Sequence, residues 1–178
     1  MVDLKKRVQD DRGLIKNIEL AIPGFRGYRK REDLRVSDSL LRAQIADQLH
    51  DDVAELLEKT RNFLADSLDF SLLKEIGELI QIEKTVEARI RHAEQGYSGI
   101  SPSYRIEESE LISLYEYDWN LIQHVKDLTA MTIILNKNVE NGRTNESKND
   151  CDRISNKFEN INELLEDRIE KIANLGAI

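Results

Sequence analysis

The chain has 178 residues, the length of one ordinary domain. Hydrophobic residues make up 40% of it and charged residues 34%, while its eight glycines and two prolines amount to about half of ordinary usage. So few turn residues exclude a many-stranded β-sandwich, a propeller or a collagen-like chain and favour long helices. One cysteine, Cys151, excludes an internal disulfide. Because no run of 18 apolar residues and no apolar signal core occur, we expect a cytoplasmic protein without a transmembrane segment.

The net charge of −8 is distributed unevenly along the chain. Residues 1–42 carry 11 Lys/Arg and 7 Asp/Glu, a net charge of +4, whereas residues 43–178 carry a net charge of −12. Nucleic-acid binding is not expected, because phosphate contacts need a continuous positive surface. A local basic patch on an acidic body instead suits an acidic protein partner or an anionic membrane surface.

Turn-forming residues are gathered at three places, 23–27, 96–102 and Gly142. Between the first two, residues 28–95 contain one glycine and no proline, and a single helix of that length would span roughly 100 Å. Such a helix is too long for a compact domain. A break is therefore expected at 66–69, where the sequence Asp-Ser-Leu-Asp offers short polar side chains that suit helix caps.

Between these breaks, apolar residues recur every three or four positions, the period of an amphipathic helix. They predict an all-α fold in which residues 1–178 form one domain, an antiparallel bundle of four long helices with a short helix within 1–22. The long helices are expected at 32–65, 70–95, 107–139 and 151–175. The apolar stripe of the first runs through Leu34, Leu41, Ile45, Leu49, Val53, Leu56 and Phe63. Residues 140–150 contain no apolar side chain and are predicted to form a mobile loop.

Two charged residues interrupt the apolar stripes of the last two long helices, Asp118 and Arg168. An isolated charge in a protein core costs several kcal/mol. We therefore expect the Asp118 carboxylate to accept an ion pair or hydrogen bond from outside its own helix. The expected donors are Arg26, Tyr28, Arg29 and Arg35.

The most distinctive local sequence spans residues 22–32, IPGFRGYRKRE. A proline and two glycines specify a turn, and two aromatic residues alternate with four cations before the first acid. Two interpretations stay open. The turn is a recognition loop for an acidic or phosphorylated partner, or its arginines pair with the bundle's own carboxylates, which the acidic body favours.

Signs of metal binding and catalysis are weak. The chain has three histidines, His50, His92 and His124. Only Asp47-x-x-His50 comes near the Glu-x-x-His pattern of di-iron bundles. No nucleophile elbow, phosphate-binding glycine loop or His-Glu-x-x-His helix occurs, and the acids on both sides of Cys151 should raise the pKa of its thiol. We therefore expect no metal, no cofactor and no catalytic residue.

A second glycine–aromatic turn, at residues 95–102, completes a set of separated motifs. In chain order they are Pro23-Gly24-Phe25-Arg26-Gly27-Tyr28, Arg35-x-x-Asp38-x-x-Leu41-Arg42, Gly96-Tyr97-Ser98-Gly99 and Tyr115-Glu116-Tyr117-Asp118. On these motifs, over about residues 22–128, the chain resembles a family of helical prokaryotic proteins that has no assigned activity, substrate or cofactor. The resemblance also associates such chains with stomatin-like neighbours, so a membrane-scaffold protein is one expected partner.

In an antiparallel bundle, both glycine turns and Asp118 should lie at the same end. The predicted binding cluster at that end consists of Phe25, Arg26, Tyr28, Arg29, Arg35, Tyr97, Tyr115 and Asp118. It makes a non-enzymatic interaction or scaffold protein, which presents the basic turn to an acidic partner, the first hypothesis. An oligomer is compatible with this hypothesis.

Two other functions are compatible with the same sequence. A membrane-peripheral or regulatory protein would bind anionic lipid head groups through its basic N-terminal third. A carboxylate-site bundle enzyme would gather acids or place His50 beside other ligands in a pocket. An exposed apolar surface would favour the interaction protein instead.

Overall fold

The computed structural model describes residues 13–23, 31–92 and 108–175. The helices in these ranges are α1 (13–21), α2 (Arg31–Leu49), α3 (Glu55–Asp66), α4 (Leu73–His92), α5 (Glu108–Glu140) and α6 (Thr144–Leu175). A short π-helix, His50–Ala54, joins α2 to α3. The described ranges contain no strand, and the predicted all-α bundle is confirmed.

The predicted first long helix is one continuous rod that contains a wider turn. Leu49 and Glu55, at the two ends of the π-helix, both have α-helical backbone angles, so the rod does not break. The Glu55 N–H donates to the carbonyl of His50, five residues earlier. This turn therefore holds one residue more than the α-helical turns on either side of it.

The additional residue shifts the apolar stripe by one position. Before the π-helix, the predicted stripe residues Leu41, Ile45 and Leu49 are fully buried, and Val53 within it is also fully buried. After it, Leu57 and Leu64 face the core. The sequence predicts Leu56 and Phe63 there, but Leu56 is only half-buried and Phe63 is 39% exposed. The inserted residue has turned Phe63 outward.

The other helices bury the stripes that their sequences predict. The fully or nearly fully buried residues of these stripes are Leu72, Ile76, Leu79, Val86, Ile90, Leu114, Leu121, Val125, Leu128, Leu135, Ile154, Phe158, Ile161 and Leu165. Ile18 of α1 and Ile22, the residue after α1, enter the same core, and the Gln44 side-chain amide donates to the Pro23 carbonyl at 2.8 Å. The chain that leads into the basic turn is thus fixed against α2.

Helix α5 ends at Glu140, and the chain breaks at Gly142, as the sequence predicts. Gly142 has φ = 69°, a left-handed angle that suits glycine, and its N–H donates to the Val139 carbonyl. The Arg143 N–H donates to the Asn138 carbonyl, which completes a Schellman motif. The next helix begins directly afterwards.

The predicted loop at 140–150 is wrong for most of its length, because α6 is helical from Thr144. Ser147 is fully buried and Asp150 is 9% exposed, although both are polar. The Ser147 hydroxyl donates to the Arg143 carbonyl, and the Asn138 amide donates to the Asp150 carboxylate at 2.8 Å. Because hydrogen bonds satisfy both side chains, this turn packs against α5 without any apolar residue.

Candidate functional site

Asp118 and Arg168, the two interruptions of the apolar stripes, face each other. Arg168 Nε lies 3.2 Å from Asp118 Oδ1, and their side chains are 3% and 0% exposed. The expected ion pair with an arginine outside the Asp118 helix is therefore present. Arg168 of α6 supplies it, a residue that was not among the expected donors. Antiparallel packing of α5 and α6 places the two interruptions at the same level of the bundle.

Of the predicted binding cluster, the structure describes the side chains of Tyr115 and Asp118, and both are buried. Arg42, from α2, is 1% exposed and is a further buried charge. The other predicted members lie outside the described residues or have side chains outside them: Phe25, Arg26, Tyr28, Arg29, Arg35 and Tyr97. The meeting of the two glycine turns likewise stays a prediction.

An exposed apolar tip lies at the turn between α3 and α4. It consists of Phe63, Leu68 and Phe70, which are 39%, 74% and 66% exposed. The chain reverses there through a second Schellman motif, in which the Leu68 N–H donates to the Ala65 carbonyl and the Asp69 N–H to the Leu64 carbonyl.

Leu68 occupies the position in this motif that glycine usually takes. Its φ is 56°, and it is the one non-glycine residue with positive φ in the described ranges. A side chain in this left-handed region costs about 1–2 kcal/mol. Since Leu68 is 74% exposed, packing within the chain offsets little of that cost. The tip thus keeps an apolar side chain at a position where the fold would favour glycine.

An open cleft of about 720 Å³ runs from the π-helix towards this tip. Its lining is His50, Ala54, Glu55, Glu58, Lys59, Asn62, Phe63, Asp66 and Lys84. Both lysines already face acids, with Lys84 3.9 Å from Glu58 and Lys59 3.7 Å from Glu140. Acidic groups outnumber the two lysines along the cleft, and Phe63 of the tip is part of its lining.

The π-helix also gathers three potential metal ligands. One ligand atom from each of His50, Asp51 and Glu55 lies within 4.8 Å of the other two, and all three residues are exposed. The sequence did not predict this group. In an α-helix, residues five apart are separated by about 140° around the axis, so the spacing of His50 and Glu55 carries no signal unless the π turn is known.

Glu83 of α4 is a buried acid beside this group. Its side chain is fully buried, and neither carboxylate oxygen has a hydrogen-bond partner. Burial raises the pKa of the Glu83 carboxyl to about 7, and the nearby charge of His50 acts in the opposite direction. Glu83 was not identified from the sequence, although it interrupts the apolar stripe of its helix between Leu79 and Val86, the same signal that identified Asp118.

The pKa of the Cys151 thiol is raised, as the sequence predicts. The residue is 4% exposed, and burial raises the pKa of its thiol to about 12, with a smaller contribution from Glu75, Asp150 and Asp152. The flanking acids contribute as predicted, but burial is the larger cause. A thiol with so high a pKa is a poor nucleophile at neutral pH.

Within the described part of the chain, no helix combines the length and the apolar character needed to cross a membrane. Comparisons with protein-family models, with curated proteins and with solved structures give no match to this chain.

Proposed function

We propose that this chain is an interaction protein of the scaffold type. The observation that carries the proposal is the apolar tip, above all Leu68, which holds a left-handed backbone angle and an exposed apolar side chain together. Strained residues persist where the surrounding structure or a function requires them. A leucine that costs stability and packs against little of its own chain is best explained by a partner that covers it.

The partner that fits the tip is a helical segment with an apolar stripe flanked by Lys or Arg. Phe63, Leu68 and Phe70 offer apolar surface to such a stripe. Asp66 and Asp69 lie beside them, and a hydrogen bond from Ser71 lowers the pKa of Asp69 further. The Asp69 carboxylate is therefore ionised at neutral pH, and the two acids complement a basic flank.

The basic turn at 22–32 supplies a second contact in this proposal, with an acidic partner. Its structural support is the anchoring of Ile22 in the core and of Pro23 on Gln44. A scaffold with an acidic, apolar surface at one place and a basic, aromatic turn at another joins two partners of different charge. A membrane-scaffold protein is one such partner.

A photocrosslinking experiment in the native host tests the proposal. A photoreactive phenylalanine analogue replaces Phe70 of the tip, and the matched control carries it at the exposed Asp152 of α6. We expect one dominant crosslinked protein from position 70 and none from position 152. Its crosslinked segment should be helical, with apolar residues beside Lys or Arg.

Three outcomes contradict the proposal. Equal crosslinking from both positions would show that the tip has no preference for a partner. Crosslinks to a second copy of this chain would replace the proposed partner with self-association. Absence of any crosslink from position 70, in cells where the protein is folded and abundant, would remove the case for a docking surface.

A further inference from the structure

We propose that the π-helix binds a divalent transition-metal ion, such as Zn²⁺, through His50, Asp51 and Glu55, with Glu83 orienting the imidazole of His50. The site is separate from the proposed function, since it needs neither the apolar tip nor a partner. It also differs from the di-iron pattern considered above, in which Asp47 would have been the companion of His50. In the structure Asp47 instead contacts Arg91 at 2.7 Å.

The backbone explains why these three side chains come together. The i to i+5 hydrogen bond from the Glu55 N–H to the His50 carbonyl stacks residues five apart on one side of the rod. Asp51 and Glu55 are four apart, a spacing that also favours a shared face. The three ligand atoms lie within 4.8 Å of one another, close enough for one ion to reach all of them after small rotations of the side chains.

The donor set selects the kind of ion. Imidazole nitrogen suits Zn²⁺, Fe²⁺ and similar ions, while an all-oxygen set would suit Mg²⁺ or Ca²⁺. One imidazole with two carboxylates balances the charge of a divalent ion. Three protein ligands leave a position for water, as in many exposed zinc sites.

The surrounding charged residues leave the carboxylates of Asp51 and Glu55 available to bind a cation. Neither Asp51 nor Glu55 forms an ion pair with any described residue, whereas neighbouring acids of the same region do. Glu58 faces Lys84 and Arg61, and Glu87 faces Arg91 at 2.6 Å. A bound cation would thus neutralise the two carboxylates that the protein's own cations do not reach.

Glu83 is the second and independent observation. It is fully buried, its carboxylate has no hydrogen-bond partner, and His50 is the oppositely charged group that acts most strongly on it. An ionised carboxylate that is buried without a partner is costly, so a cation close to Glu83 would stabilise its charged form. Metal-bound histidines generally donate their second ring N–H to a carboxylate, which fixes the orientation of the ring. In the proposed site, Glu83 takes that role and accepts a hydrogen bond from the His50 ring once the ion is bound.

Isothermal titration of the chelator-treated, full-length chain with Zn²⁺ tests this site. We expect one saturable site per chain, with affinity lowered at least about tenfold by His50→Gln or Glu55→Gln. The matched control is Asp52→Asn, an exposed acid of the same π-helix that lies outside the ligand group, and its affinity should equal that of the parent. Mg²⁺ in excess should not displace Zn²⁺, because it does not favour imidazole.

The role of Glu83 is tested separately with Co²⁺ as a spectroscopic probe. Glu83→Gln should lower the affinity by about 10- to 100-fold and shift the visible absorption of bound Co²⁺, while the helical circular dichroism stays that of the parent. Two outcomes overturn the proposal: Zn²⁺ binding that is not saturable, or saturable binding that His50→Gln leaves unchanged. Neither outcome affects the apolar tip, so the two proposals fail independently.

Discussion

At the scale of single residues, the ion pair of Asp118 and Arg168 accounts for two charged residues at positions where the sequence pattern calls for apolar ones. Each interrupts an apolar stripe, and together they form a buried pair at 3.2 Å. A buried pair contributes little compared with an apolar replacement, but removal of one partner leaves an uncompensated charge. The two residues should therefore behave very differently singly and together.

We expect Asp118→Leu alone to lower the free energy of unfolding by about 3 kcal/mol, because Arg168 then stays buried without that carboxylate. The double variant Asp118→Leu, Arg168→Leu should recover much of the loss. Urea unfolding of the parent, both single variants and the double variant measures this. Additive effects of the two single changes would show that the pair is not coupled.

For the two Schellman motifs we predict changes in unfolding free energy of opposite sign. Leu68→Gly should raise the free energy of unfolding by about 0.5–1 kcal/mol, since relief of the left-handed leucine exceeds the entropy cost of glycine. Gly142→Ala should lower it by about 1 kcal/mol, because φ is 69° there although a Cβ would meet no atom within 4 Å. Thermal unfolding of both variants tests the signs, and a destabilised Leu68→Gly would mean that the leucine serves the fold.

At the scale of elements, the π-helix determines both the core and the surface of the first rod. We expect Leu64→Ala to cost about 2–4 kcal/mol of unfolding free energy and Phe63→Ala less than about 1 kcal/mol. An uninterrupted α-helical stripe would give the reverse order. Chemical denaturation of the two variants therefore reports directly on the additional residue in the turn.

The start of α6 gives a second test at this scale. Amide exchange at residues 148–151 should be slow, comparable to the middle of α5, because Ser147 and Asp150 are buried and hydrogen-bonded there. The three residues of the connection, 141–143, should exchange faster. Rapid amide exchange at residues 144–150 would contradict this helical start and support the mobile loop that the polar sequence predicts.

These elements also show what the sequence can predict. Apolar periodicity and sparse glycine predict the all-α bundle, and short polar residues at 66–69 predict the turn between α3 and α4. A π turn has no residue signature of its own, so neither the outward position of Phe63 nor the gathering of His50 and Glu55 was predictable. Burial of Ser147 was missed because its hydrogen bonds depend on the fold, not on its hydropathy.

At the scale of the whole molecule, three unusual features follow one another along the α2–α3 rod and the turn after it. The π-helix, the open cleft and the apolar tip succeed one another from His50 to Phe70. The buried ion pair of Asp118 and Arg168 lies elsewhere, between α5 and α6. The regular core thus carries a surface that includes the left-handed residue Leu68 and the exposed apolar side chains of the tip.

The most direct test of this interpretation measures stability and partner binding in the same variant. Leu68→Gly is compared with the parent for its unfolding free energy and for its yield of photocrosslinked partner from position 70. If Leu68 is retained for binding, the variant should be more stable and its crosslinking should fall severalfold. A variant that is more stable and still captures its partner at the parental level would contradict a binding role for the tip.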